Sequence, residues 1–353
     1  MIKHPTTEIA IVILNWNTKA QLEAFLPSVI RHSQDAAVEI IIADNGSDDG
    51  SVEFLQHHYP ELRTIIFPEN YGFTGGYNQA LAQVQAKYYV ILNSDIQVTS
   101  GWLDPLKRCL DTDDSVAACM PKIKSYHHPD YFEYAGAAGG FIDRYGYPFC
   151  RGRIMRTVEK DIGQYNNSSE IFWATGACMF VRAELFHRFG GFDNDFFAHM
   201  EEIDLCWRMK NQGYTIHYVP QSLVYHVGGG TLPNENPFKL LLNHRNNLFL
   251  LYKNLPGNKL VPVLLIRMLM DGLSALMYLI KGKGKNFLAV FRAYHSFVCS
   301  WRTLHRKRMD NLPPQEDYPG HVYDGCIVYQ YFIKKNRYFS SLSGYMGDPI
   351  NPG

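Results

Sequence analysis

From residue 9 to about residue 121, short apolar runs alternate with segments whose apolar residues recur at helical spacing. Runs at 9–14, 39–43, 62–67, 88–92 and 117–120 predict strands, and 19–32, 51–58, 74–85 and 102–111 predict helices between them. Strands joined through helices run parallel, and strands apolar on both faces need cover on both. The pattern therefore predicts an α/β fold: a mostly parallel central sheet with helices on both faces.

The period is lost at 123–167, where Gly, Tyr and His are frequent. Loops and short antiparallel strands that wrap a site are expected there. Order returns with a strand at 171–181, a helix at 183–189, a second helix from about Glu202, and strands at 215–218 and 223–225. Past Pro237 the chain is helical over 238–255, and 260–280 is mostly Leu, Ile, Met and Val. That stretch is long enough to span a bilayer. Arg267 and Asp271 stand near its centre, one helical turn apart, which favours a helix lying in the membrane interface or packed on the domain.

Lys281, Lys283 and Lys285, then Arg302, Arg306, Lys307 and Arg308 beside Trp301, suit an anionic membrane surface. A solvated helical hairpin is the alternative. The expected division is a catalytic unit at 1–237, amphipathic and apolar helices at 238–310, and a tail at 311–353.

Composition narrows the partners. The 353 residues are 46% hydrophobic, enough for a full core, and 34 basic against 34 acidic side chains give no global attraction for nucleic acid. Seven scattered cysteines without a CxxC pair read as reduced thiols, and no secretory signal opens the chain, so a cytoplasmic location is expected.

Open α/β sheets bind ligands at the carboxyl ends of their strands. Asn15 and Asn17 follow the first strand, Asp44 ends the second, and Asn93 and Asp95 end the fourth. A strand-end Asp can accept from a base imide or a ribose hydroxyl, or can simply cap a turn. Gly72, Gly75 and Gly76, between Asn70 and Asn78, open a helix where backbone can approach an anion. The spacing is neither GxGxxG nor a P-loop, which argues against a Rossmann oxidoreductase or an NTPase.

Asp95 is placed to hold a divalent cation that neutralises a departing diphosphate, with His226 as a second ligand better suited to Mn2+ than to Mg2+. Glu201, Glu202 and Asp204 open a helix, where dipole stabilisation alone would explain them. The spacing puts Glu201 and Asp204 on one side and leaves Glu202 apart, so that one of the three can serve as a base.

In this order these pieces resemble the family 2 glycosyltransferases of the GT-A fold over residues 8–250: residues 12–17, the Asp44–Ser51 turn, residues 70–78, Leu92-Asn93-Ser94-Asp95, Gly176-Ala177-Cys178-Met179, Glu201-Glu202-Ile203-Asp204-Leu205, and His226 before Gly228-Gly229-Gly230. The resemblance implies inverting transfer of a sugar from a nucleoside diphosphate sugar to a hydroxyl. Asn15 and Asp44 would contact the nucleoside, and Asn17, Gly72, Gly75, Asn78 and Asn93 would complete the donor site. Asp95 would be the last residue of a DxD-type motif whose first carboxylate is here Asn93. Glu202 would be the base, Glu201 and Asp204 its supports, and His226 a late ligand of Mg2+ or Mn2+.

Within the family, the opening Trp16, the Asn93-Ser94-Asp95 form and the basic C-terminal helices look most like rhamnosyltransferases of bacterial surface polysaccharide synthesis. Those take a thymidine or uridine diphosphate sugar and a glycan or polyprenyl-linked acceptor, which implies an enzyme peripheral to the inner face of the cell membrane. The competing readings are glycoside hydrolysis by paired carboxylates and an inactive GT-A scaffold.

Overall fold

The computed structural model describes residues 7–228, 236–311 and 317–342. Its strands are β1 (Ile9–Asn15), β2 (Val38–Asp44), β3 (Arg63–Ile66), β4 (Tyr88–Asn93), β5 (Ile96–Val98), β6 (Val116–Ser125), β7 (Gly140–Asp143), β8 (Pro148–Cys150), β9 (Arg153–Ile154), β10 (Thr157–Val158), β11 (Ser169–Ile171), β12 (Cys178–Arg182), β13 (Thr215–His226) and β14 (Val322–Tyr323). Its helices are α1 (Lys19–His32), α2 (Ser51–His58), α3 (Gly72–Leu81), α4 (Leu103–Thr112), α5 (Ala183–Arg188), α6 (Glu201–Asn211), α7 (Pro237–Asn254), α8 (Gly257–Ile280), α9 (Gly284–Asn311) and α10 (Ile327–Phe332).

The main sheet runs β11-β13-β6-β12-β4-β1-β2-β3, with β5 on β13. The strands β3, β2, β1 and β4 are parallel, as their apolar runs demand. Every residue of β1 but Leu14 is buried, and α1 covers the sheet with Leu22, Phe25, Leu26 and Val29, spaced three and four apart. The segment expected as one strand at 171–181 is two, β11 and β12, parted around Gly176. β12 enters the sheet in reverse between β4 and β6. That reversal brings Ala177 to the carboxyl end of β4, where its carbonyl accepts from Asn93 N at 3.0 Å.

The aperiodic stretch forms a second sheet, β10-β9-β8-β7-β14, whose last strand comes from the C-terminal tail. Phe141, Phe149 and Phe339 close it into the core. After the sheets, α7 is the most deeply embedded C-terminal helix, with ten buried residues over its 18. It supports the site from below.

Candidate active site

At the ends of β1 and β2, Asn15 Nδ2 donates to Asp44 Oδ2 at 2.7 Å and to Ser47 Oγ at 3.1 Å, while Asp44 Oδ1 accepts from Ser47 N at 2.9 Å. Both residues are fully buried and form the floor of the turn. Trp16, Asn17 and Asp48 stand exposed on its rim, where Asn17 Oδ1 accepts from Asp48 N at 2.8 Å. Asn45, which the sequence left unassigned, ties this floor to the glycine-rich loop. Its Nδ2 donates to Asn70 Oδ1 and Gly72 O, each at 3.0 Å.

The glycines of that loop do not form the open anion cradle expected of them. The Phe197 carbonyl already accepts from Phe73 N at 2.9 Å and Thr74 N at 3.2 Å, so these first amides of α3 are satisfied. Gly72 has φ +72°, and a Cβ there would lie 2.5 Å from the Phe197 ring; a Cβ at Gly75 would lie 2.9 Å from Tyr71 Cβ. Both positions are closely packed, with no room for a side chain. Asn78 is likewise a brace: its Nδ2 donates to Phe192 O at 2.6 Å and Asn194 Oδ1 at 2.8 Å, and its Oδ1 accepts from Phe192 N at 2.9 Å.

Asn93, Ser94 and Asp95 lie half-buried at the end of β4, with Ser94 Oγ 2.9 Å from Thr18 Oγ1. The long β13 carries His226 to the same edge, because β5 pairs with it directly after Asp95. His226 Nε2 meets Asp95 Oδ1 at 3.0 Å, and Nδ1 faces Glu133 Oε1 at 3.4 Å. Burial opposes the charge on the imidazole, but Glu133 and Asp95 prevail and lift its pKa to about 10. Burial alone would raise the Asp95 carboxyl, yet the His226 bond and charge hold it below the ordinary value. Glu133 lies in the aperiodic stretch and gave no sequence signal; Gly228 makes room for it, since a Cβ there would meet its Oε1 at 2.8 Å.

These residues fit a hard divalent ion in part. Asp95 and His226 offer atoms 3.0 Å apart, the spacing of neighbouring ligands on an octahedral ion with bonds of about 2.1 Å, and such an ion would have to displace the proton that Glu133 and Asp95 favour on His226. His226 Nδ1, buried without a hydrogen-bond partner, faces a carboxylate that would orient it. Among the described residues no group of three or more His, Cys, Asp or Glu forms a full cage, so the donor's phosphates and water would supply the remaining ligands.

The acids of α6 are close to this edge. A Cβ at Gly176, one residue before Ala177, would lie 3.9 Å from Glu202 Cβ and 3.0 Å from the Phe73 ring. One carboxylate oxygen each of Glu201 and Glu202 is buried and unpartnered. Burial pushes Glu202 up to about 7 against the backbone bonds of the helix start. Burial and the charge of Glu202 raise Glu201 well above the usual range. Two adjacent carboxyls with raised values carry no more than one negative charge between them near neutrality.

Asp204 does not join them. It is fully buried, with Oδ2 2.8 Å from Arg208 Nε and 2.9 Å from Lys253 Nζ, and Oδ1 2.8 Å from Asn254 Nδ2. With both oxygens engaged by the scaffold, its role is to join α6 to α7. Lys253 continues to Asp193 at 2.5 Å, and Lys307 of α9 holds Asp193 and Asp195. The sequence gave no sign of this network, because polar residues of an amphipathic helix ordinarily face water.

The same α7 grips the loop before Glu201. Asn246 Nδ2 lies 3.0 Å from Phe196 O and 2.8 Å from each of Ala198 O and His199 O, and Arg245 donates to the Asp195 and Phe196 carbonyls. Phe197, His199 and Met200 all have positive φ, a conformation unfavourable for non-glycine residues and sustained here by these bonds.

A mixed sheet, parallel through β3, β2, β1 and β4, whose carboxyl edge carries an aspartate–imidazole pair and a buried acid pair has the architecture of a GT-A glycosyltransferase. The structure of GalNAc-T7 with UDP, GalNAc and Mn2+ superposes with a TM-score of 0.53 at 15% identity, over 68% of this chain and 47% of that one, a similarity of fold. The present chain thus spans about half of that protein.

The chain belongs to glycosyl transferase family 2, whose sequence model matches residues 10–190. It is similar to the N-acetylglucosaminyl-diphospho-decaprenol L-rhamnosyltransferase of Mycobacterium tuberculosis, at 25% identity over 264 residues, 70% of this chain and 84% of the relative. It is also similar to the rhamnosyltransferase WbbL of Escherichia coli K12, at 26% over 223 residues, 60% and 80% of the two chains.

Proposed function

We propose that this glycosyltransferase inverts the anomeric centre of a thymidine or uridine diphosphate sugar, rhamnose foremost, as it transfers that sugar to a hydroxyl of a lipid-diphosphate-linked glycan. The observation that carries the chemistry is the Glu202 carboxyl, with one oxygen buried and unpartnered, held at about 7, and packed beside Gly176 next to the Asn93–Asp95 strand end. A base near neutrality is ionised often enough to act and basic enough to accept a proton. The rhamnosyl donor is supported by the names of both relatives above, and the lipid-linked acceptor by the name of the first.

On this reading Glu202 takes the acceptor proton as that oxygen attacks the anomeric carbon, and Glu201 retains its own proton and limits the charge of the pair. Asn15 and Asp44 fix the floor beneath the nucleoside, and Asn17 and Trp16 form its rim. Asp95 and His226 would hold a divalent ion; when bound it supplies charge neutralisation for the departing diphosphate. Residues 1–237 carry the chemistry, 238–310 brace it and face a cytoplasmic membrane surface, and the tail completes the second sheet.

The direct test is release of nucleoside diphosphate from a panel of nucleotide sugars, with Mn2+ or with chelator. Metal-dependent release from dTDP- or UDP-rhamnose supports the proposal, and binding of no nucleotide contradicts it.

A further inference from the structure

The helix α8 is inside out. Its protein-facing stripe, Val263, Arg267, Asp271 and Ala275 at every fourth residue, includes two charges, whereas its large aliphatic side chains face away. Arg267 lies 3.8 Å from the centre of the Tyr147 ring and 3.2 Å from Asp271, which also accepts from Tyr294 at 2.9 Å and faces His244 at 3.3 Å. Leu265, Leu269, Leu273, Leu276 and Ile280 are each about half exposed or more, and Leu288, Phe291, Val298 and Trp301 of α9 continue the apolar surface. So large a contiguous apolar face needs an occupant.

Charge selects it. The chain as a whole is neutral, but residues 257–311, which span α8 and α9, hold ten Lys and Arg against two acids, the buried Asp271 and the exposed Asp310, a net of +8. Lys281, Lys285, Arg292, Arg302 and Arg306 are exposed around the apolar face. A second copy would bring like charge against like. A bilayer with anionic headgroups presents hydrocarbon to the leucines and negative charge to the rim.

We propose that the outer face of α8 and α9 docks the enzyme on an anionic bilayer, with α8 lying along the interface instead of crossing it. The Arg267–Asp271 stripe fastens the middle of α8 to α7, α9 and the second sheet, so lipid reaches one face only. His244, which faces Asp271, directly precedes Arg245 and Asn246, which grip the loop before Glu201. One helix thus separates the docked face from the catalytic loop. The surface depends on the glycosyltransferase reading for its purpose, which is to meet a lipid-linked acceptor, but not for its physics.

The test is flotation of the full chain with vesicles of phosphatidylcholine alone or mixed with phosphatidylglycerol. The expected result is flotation with the anionic vesicles, weakened by salt. L265Q/L269Q/L273Q, all at exposed positions, lowers the bound fraction by about tenfold or more. K281E/K285E/R292E removes the preference for anionic lipid. Both variants keep the wild-type melting temperature and donor turnover. A protein that stays soluble with anionic vesicles, or floats equally well after the Leu substitutions, overturns the proposal, as does a dimer that these substitutions dissociate without any vesicle binding. Flotation without donor turnover would refute the reading of the site and leave the surface standing; turnover without flotation would do the reverse.

Discussion

Asn246 lies with its side-chain amide 2.8 Å from the His199 carbonyl, so a residue of α7 shapes the loop that delivers Glu201 and Glu202. The loop backbone is held at positive φ at Phe197, His199 and Met200, and the amide gives the Phe196, Ala198 and His199 carbonyls a donor. Asn246→Ala is expected to cost about 1–3 kcal/mol of stability. A displaced base should lower kcat by about a hundredfold with little change in donor KM. Steady-state kinetics well below the melting transition check this; an unchanged kcat would reduce Asn246 to a scaffold role.

Asp204 predicts a stability effect. Lys253 and Arg208 hold its carboxyl below the ordinary value despite burial, so this stabilisation is full above about pH 4 and fades as pH falls toward the folded value. Asp204→Asn leaves two buried cations short of a partner and should destabilise by about 3 kcal/mol. Urea unfolding from pH 7 down to acid should show the difference between variant and wild type shrinking.

Activity should rise with pH through about 7. Glu202 is the group whose ionised form is needed, and burial places its pKa there, so protonation below that value removes the base. A kcat profile with an ascending limb near 7 agrees; a flat profile between pH 5 and 8 does not.

Glu133 faces His226 at 3.4 Å and orients it toward Asp95. Glu133→Gln keeps the shape and loses the charge, and should weaken Mn2+-supported donor binding by about 10–100-fold. Calorimetric titration of dTDP or UDP with and without Mn2+ reads the effect; unchanged Mn2+ dependence would separate Glu133 from the metal.

Legibility in the sequence followed physical cause. The strands β1, β2 and β4 are apolar runs stopped by Asn15, Asp44 and Asn93, so both the sheet and its functional edge could be read. The second sheet has strands of two to four residues, too short to show a period, and Glu133 precedes them without a pattern. The reversal of β12 depends on tertiary pairing alone. Asn246, Lys253 and Asn254 look like the wet face of a helix but are buried, because their partners Asp193, Asp204 and the 196–199 carbonyls arrive from some 40 to 60 residues earlier. The glycines at 72 and 75 have the local geometry expected of them, and the neighbours that crowd them, Phe197 and Tyr71, add a packing need that the turn pattern did not show.

The measurement closest to the central claim is single-turnover transfer by Glu202→Gln beside wild type, with donor binding and thermal melting measured on the same samples. Loss of the buried charge beside Glu201 should leave the melting temperature unchanged or raised, donor affinity retained, and turnover lowered by about a hundred- to ten-thousandfold. Near-wild-type turnover in that variant would contradict the assignment of Glu202 as the base.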